Sequence, residues 1–222
     1  FLYFIGVFVS DCQMFRTHHF VTGSFQSHAS FVDDATYSLI LDNIVKATCD
    51  IFLCRPSQLS CDGDKGEAVD IFMGERVGLP HADWWIPGGR MMPGETCATA
   101  VRRILQRELG LDIGSSASWE DRVETVATYT FVWDTRTQEP IHNGTCDVSS
   151  ILCVMLSSEE AASIQLLKHE YKQVEWRTLA SQVALAHQQQ HAAISPSEGT
   201  LSYKPLHPAL AKGVSDLDAM LT

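Results

Sequence analysis

The run Trp84-Trp85-Ile86-Pro87-Gly88-Gly89-Arg90, with the residues behind it, constrains this chain more than any other feature. Five residues separate Gly89 from Glu95, seven separate Glu95 from Arg103, and Glu108 and Gly110 close the pattern. Ala98, Val101, Leu105 and Leu109 recur at three- and four-residue steps, so Glu95 to Leu109 is expected to form an amphipathic helix stopped by Gly110. The unit is therefore a short strand, a glycine turn and one helix. Two adjacent glycines let backbone approach a ligand or metal, and a glycine carbonyl is an acceptable hard-oxygen ligand. An isolated Gly-Gly pair would be an ordinary turn. The charged residues spaced behind it favour a binding loop.

This spacing resembles the signature of the Nudix hydrolases, which cleave nucleoside diphosphates linked to another group. The usual pattern also has glutamates where Ile104 and Arg107 stand. Those departures move the resemblance towards the GDP-mannose mannosyl hydrolase branch, which retains only the last glutamate. The run Ile71 to Arg76, followed by Pro80 and Trp84, is similar to the segment that leads into that branch's signature. The resemblance covers roughly residues 35 to 180. It implies an α/β protein, a Nudix-like α/β/α sandwich with a mixed central sheet.

It also implies a site. Arg76 and Arg90 would bind substrate and assist departure of the diphosphate, since a guanidinium grips phosphate oxygens bidentately and stays charged. Trp84 would lie beside the substrate. One Mg²⁺ would be held by Glu108, by the carbonyl of Gly89 or Gly88, and by Glu170. A carboxylate at the C-terminal end of a helix is disfavoured by the dipole unless a cation accompanies it, which points the same way for Glu108. Ile104 cannot ligate a metal and Arg107 would repel one, so a single ion is expected. Glu95 and Arg103 read as a structural ion pair, and Gly88 and Gly110 as structural turns.

The general base stays open. His169-Glu170-Tyr171 stands ahead of Val174-Glu175-Trp176, and counting back from the tryptophan puts Glu170 on the branch's metal-ligand glutamine and Tyr171 on its base histidine. Histidine has the ordinary pKa for such work and tyrosine does not. Either a small gap restores His169, or Glu170 serves, or the base is absent.

The activity implied is Mg²⁺-dependent hydrolysis of a nucleotide-diphosphate sugar, most like GDP-mannose, with water attacking the anomeric carbon. Two alternatives stand beside it: ordinary Nudix cleavage at phosphorus, and a non-catalytic Nudix-like subunit that binds nucleotides. A net charge of −11 excludes non-specific binding to nucleic acid, because it offers nothing to replace phosphate counterions. It leaves a nucleotide ligand open, since a cation and local arginines can neutralise a diphosphate. Seven cysteines without paired spacing read as reduced thiols of a cytoplasmic protein, and no run is long enough for a membrane span. His187 and His191, four residues apart, read as a solvated helix face. Dimers are common in the branch, so a homodimer is an open expectation.

Along the chain, residues 1–30 read as a poorly structured lead-in, 31–192 as the hydrolase domain and 193–222 as an irregular tail. The apolar start is either the remnant of a targeting segment or a fragment end. Within the domain the expected elements are a helix from Asp33 or Asp34 to Val45, strands over Asp50–Cys54 and Val69–Gly74 around the loop Pro56–Glu67, and the signature helix. Strands Arg122–Trp133 and Val148–Leu156 follow, then a short acidic helix near Ser157–Ala162, a strand Gln173–Trp176 and a last helix Leu179–His191.

Overall fold

The computed structural model describes residues 18–57, 68–81, 83–113, 117–166, 170–194 and 206–222. Helix α1 spans Asp34–Asn43, followed by β1 (Lys46–Pro56) and β2 (Val69–Arg76). Short strands β3 (Trp84–Trp85) and β4 (Gly88–Arg90) lead into α2 (Cys97–Leu109). Then come β5 (Val123–Trp133), β6 (Thr145–Met155), α3 (Ser158–Ala162), β7 (Tyr171–Thr178), α4 (Leu179–Ile194) and α5 (Pro208–Leu221).

The strands form one mixed sheet in the order β3-β2-β1-β6-β5, with β4 on β1 and β7 on β2. β1 and β6 run parallel, while the remaining pairs are antiparallel. Alternation along β1 sends Cys49, Ile51 and Leu53 to one face, against Val101, Ile104, Leu105 and Leu109 of α2. It sends Phe52 and Cys54 to the other, against Ala186 of α4 and Leu210, Val214 and Leu217 of α5. This is the expected α/β/α sandwich with a mixed sheet.

Local chemistry sets the helix ends. Asp33 caps α1 by accepting from the Thr36 N–H at 2.9 Å. The helix stops at Asn43, short of the expected Val45, because Ile44 and Val45 are exposed and have no core to bury in. The signature helix starts two residues later than expected, behind a capping box between Thr96 and Thr99. It ends as anticipated at Gly110, whose φ of 61° is left-handed.

The C-terminal segment corrects the sequence reading. The expected irregular tail contains α5, started by Pro208 in its first turn with the His207 ring accepting from the Ala209 N–H at 3.2 Å. Leu210, Val214 and Leu217 sit at helical spacing and are buried, which is what anchors the helix. By contrast, residues 18–30 form neither helix nor strand. The Pro56–Glu67 loop lies almost wholly outside the described residues.

A buried arginine ties α1 to the β5–β6 connection. Arg136, 1% exposed, donates to Asp42 at 2.6 Å, to Ser38 at 2.5 Å and to the carbonyls of Gln138 and Gly144 at 3.1 and 3.2 Å. Gly144 has φ 68° and ψ −161°, and a Cβ there would lie 2.0 Å from the Trp133 carbonyl oxygen. Gly144→Ala should therefore cost about 3 kcal/mol. Urea denaturation against Gly78→Ala, where a Cβ meets open space, checks this, and equal midpoints for the two variants would refute it.

Candidate active site

The glycine turn is held from below by Asp50, a residue the signature does not include. Its carboxylate accepts from the Trp85 indole at 2.9 Å and from the Ser149 hydroxyl, while the Ile51 N–H donates to the Pro87 carbonyl at 2.8 Å. A Cβ on Gly88 would come within 2.4 Å of Asp50 Oδ1, so only glycine lets the turn settle onto this acid. Burial pushes the Asp50 carboxyl above its ordinary range, against the opposing pull of Ser149, Trp85 and Arg76. A buried Asp one strand away from a Trp-Gly motif carries no spacing rule, which is why the sequence alone does not single it out.

On the α2 face stands Glu108, 1% exposed. Both of its oxygens are engaged. The Tyr171 hydroxyl donates to Oε2 at 2.6 Å, and an Arg107 guanidinium nitrogen sits 2.5 Å from Oε1. That nitrogen would also be 3.1 Å from a Cβ on Gly89, so the guanidinium fills the notch between the glycine turn and the helix end. The Arg107 expected to repel a cation is thus itself the cation on Glu108. Ile104 is fully buried in the core and offers no ligand.

Tyr171, at the position expected of the base histidine, acts as a donor. Its ring lies on Gly74, where a Cβ would clash at 2.3 Å. Burial, then the charge of Glu108 and the hydrogen bond to it, raise the phenol above its ordinary value of 10.0, so it stays protonated at neutral pH. The direct partnership of Tyr171 with Glu108 has no signal in sequence spacing.

The strand pairing sorts the arginines. Arg76 is opposite Tyr171 in the β2–β7 register, and its charge acts on both Tyr171 and Asp50. Arg90 follows Gly89 on β4, so alternation turns it away from α2. It is exposed and lies over the Tyr37 ring at 5.2 Å, with one nitrogen 3.7 Å from the Met92 sulfur. Trp84 packs on the opposite face from α2, under the Arg177 guanidinium at 4.0 Å. The structure therefore brings Arg76, Arg107, Glu108, Tyr171 and Gly89 together and places Arg90 and Trp84 elsewhere.

Glu170 is half-buried directly before Tyr171, and its carbonyl accepts from the Val77 N–H at 3.1 Å. His169 lies outside the described residues. Among the described residues no three or more His, Cys, Asp or Glu side chains gather to hold a metal. His187 and His191 are exposed on α4. None of the five described cysteines forms a disulfide, and among the described residues no helix is long and apolar enough to cross a membrane.

Glu95 and Arg103 form a two-pronged ion pair at 2.5 and 2.7 Å, while Glu95 also accepts from the Met92 N–H and Arg103 donates to the Arg90 carbonyl at 2.8 Å. The pair ties the loop after the glycines to α2. Burial alone would raise the Glu95 carboxyl, but Arg103 and the Met92 amide outweigh it and hold the group below its ordinary 4.5. A carboxyl lowered in the fold stabilises above its unfolded value and loses that contribution as pH falls through the folded one. Glu95→Gln should therefore cost about 1 kcal/mol at neutral pH, with the deficit shrinking below pH 4.5. Thermal melts of both proteins from pH 7 to 3 measure it, and a deficit that does not change with pH would contradict the pairing.

A cleft of about 1190 Å³ adjoins this loop, with Met91, Glu95 and Cys97 on one side and β5 and the end of α5 on the other. Glu108, Tyr171 and Arg76 are not among its walls. The chemistry of the buried acid is a better guide to the site than the size of that cleft.

A mixed α/β/α sandwich whose glycine turn abuts a buried helix-end carboxylate defines the class of protein, and comparison supplies the family. The NUDIX domain model matches residues 60–197, and the chain belongs to the Nudix hydrolase family. No curated protein matches at a significant level. Among solved structures, the NUDIX domain of Shewanella oneidensis NrtR complexed with ADP ribose is 15% identical, with 86% of this chain and 100% of that one covered at a TM-score of 0.50. A MutT NUDIX hydrolase from Burkholderia pseudomallei is 16% identical over 79% and 99%, TM-score 0.49. A C. elegans Ap4A hydrolase binary complex is 14% identical over 80% and 98%, TM-score 0.47. At 15% identity the likeness to the NrtR domain is one of fold alone.

Proposed function

We propose that this Nudix protein hydrolyses a nucleotide-diphosphate sugar of the GDP-mannose kind, with water attacking the anomeric carbon and the nucleoside diphosphate leaving. The observation that carries the reading is Glu108: a single buried carboxylate at the signature helix end, with Ile104 and Arg107 where a cluster of acids would gather further cations. Activating water against phosphorus calls for such a cluster. Stabilising a diphosphate as it departs from carbon calls for positive charge, which Arg76 and Arg107 supply on the Glu108 side. The role expected of Arg76 and Arg90 thus passes to Arg76 and Arg107.

The residues fit one divalent ion. Glu108 offers hard oxygen, and the notch between it and Gly89 already accommodates a positive group, the Arg107 guanidinium. Mg²⁺ held there would add charge stabilisation to the leaving diphosphate. Tyr171 keeps Glu108 in place through its hydroxyl, and Asp50 fixes the glycine turn. The proton of the attacking water falls to Glu170 or His169, because Tyr171 is a donor.

A panel of GDP-, UDP- and ADP-linked sugars, with ADP-ribose and a dinucleoside polyphosphate alongside, tests the reading in the presence of Mg²⁺. A nucleoside diphosphate and free sugar are the expected products. Nucleoside monophosphates throughout would replace it with phosphorus chemistry. The full engagement of Glu108 by Tyr171 and Arg107 favours one second reading, a nucleotide binder without turnover. A GDP-dependent thermal shift with no hydrolysis anywhere in the panel would establish that instead.

A further inference from the structure

We infer that Arg107 is an exchangeable stand-in for the divalent cation, which the diphosphate of an arriving nucleotide draws off Glu108 so that metal and nucleotide bind cooperatively. The inference rests on the reading that Glu108 serves a diphosphate-bearing substrate. Neighbouring positions on a helix do not face each other, so Arg107 reaches the carboxylate beside it only by folding back over the helix end. It does so into the notch at Gly89, with 2.5 Å to Glu108 Oε1 and 3.1 Å to the Cβ position of the glycine.

The two partners differ sharply in freedom. The Glu108 side chain is 1% exposed and the Arg107 side chain 49%. The acid cannot leave, whereas the arginine reaches solvent by rotating its own side chain. If it left without replacement, a buried carboxylate would keep only the Tyr171 hydroxyl, which is strongly unfavourable. Arg107 therefore departs when a second cation takes over, and a phosphate group beside the notch is the partner a guanidinium prefers. Arg76, opposite Tyr171, puts a further positive group on the same side. Each ligand then removes an obstacle to the other, and the coupling is reciprocal.

Mn²⁺ titration of the full chain, followed by the paramagnetic resonance of the free ion, tests this in wild type, Arg107→Ala and Glu108→Gln. Without nucleotide, Arg107→Ala should bind Mn²⁺ about tenfold more tightly than wild type. GDP should raise the Mn²⁺ affinity of wild type by about the same factor beyond the GDP-bound ion measured with Glu108→Gln, and should help Arg107→Ala far less. The melting temperature of Arg107→Ala should fall by several degrees without metal and recover with Mg²⁺, which leaves wild type unmoved. Equal nucleotide-free affinities in wild type and Arg107→Ala, or no binding by either, would overturn the exchange. Tighter binding by Arg107→Ala alongside no turnover of any nucleotide sugar would uphold it and remove the proposed activity, so the two failures are distinguishable.

Discussion

Glu108→Gln should lower nucleotide-sugar turnover by about 100-fold or more while leaving the fold intact. The glutamine side chain has the same shape and still offers its carbonyl oxygen to the Tyr171 hydroxyl, which donates at 2.6 Å in the native protein. Arg107, half-exposed, can turn to solvent when its carboxylate partner is gone. What disappears is the one negative charge on the signature helix able to hold a divalent ion beside the glycine turn. The loss should fall on kcat and on Mg²⁺ affinity more than on KM for the sugar nucleotide. Glu95→Gln is the matched control, since its carboxylate is taken by Arg103 and the Met92 amide. Turnover indifferent to Glu108 but lost with Glu95 would exchange the roles of the two glutamates.

Much of this was legible in the sequence because it obeys periodic or spaced rules. The strand, glycine turn and helix from Trp84 to Gly110 follow from a glycine stop and a three-and-four apolar repeat, and the helix ends on the expected residue. Leu210, Val214 and Leu217 carry the same repeat, but the glycine- and serine-containing segment ahead of them reads as irregular. Pro208 was the start signal that mattered. The signature residues of the candidate site are readable from spacing, but their geometry is not. Register, with a shift between Glu75 and Arg76, sets Arg76 opposite Tyr171 and within reach of its hydroxyl's charge environment, whereas Arg90 follows Gly89 and turns away from α2. Asp50 and Tyr171 act through contacts 35 and 63 residues apart along the chain, where no motif spacing applies. The reversal at Arg107 has a similar origin: a charge that should repel a metal on paper becomes, folded back over Gly89, the partner of the acid.

The bond that breaks separates the proposed activity from its nearest rival most completely. Hydrolysis in ¹⁸O-water should place the label in the released sugar and leave the nucleoside diphosphate unlabelled. Attack at phosphorus would put the label in a phosphate and release a monophosphate, so the outcomes are mutually exclusive. Charge favours attack at carbon. Phosphorus attack needs a water activated beside a crowded, negatively charged centre, which several carboxylate-bound cations make feasible. Here Ile104 is in the core and Arg107 is positive, so one carboxylate remains at the helix end. Departure of a diphosphate from carbon asks only that growing negative charge meet fixed positive charge, and Arg76 and Arg107 stand on the side where it would grow. Displacement by water in one step also inverts the anomeric carbon, so proton resonance during the first turnovers should show the opposite anomer before mutarotation. Label in phosphate would return the chain to ordinary Nudix chemistry and leave its missing carboxylates to be replaced by groups outside the signature helix.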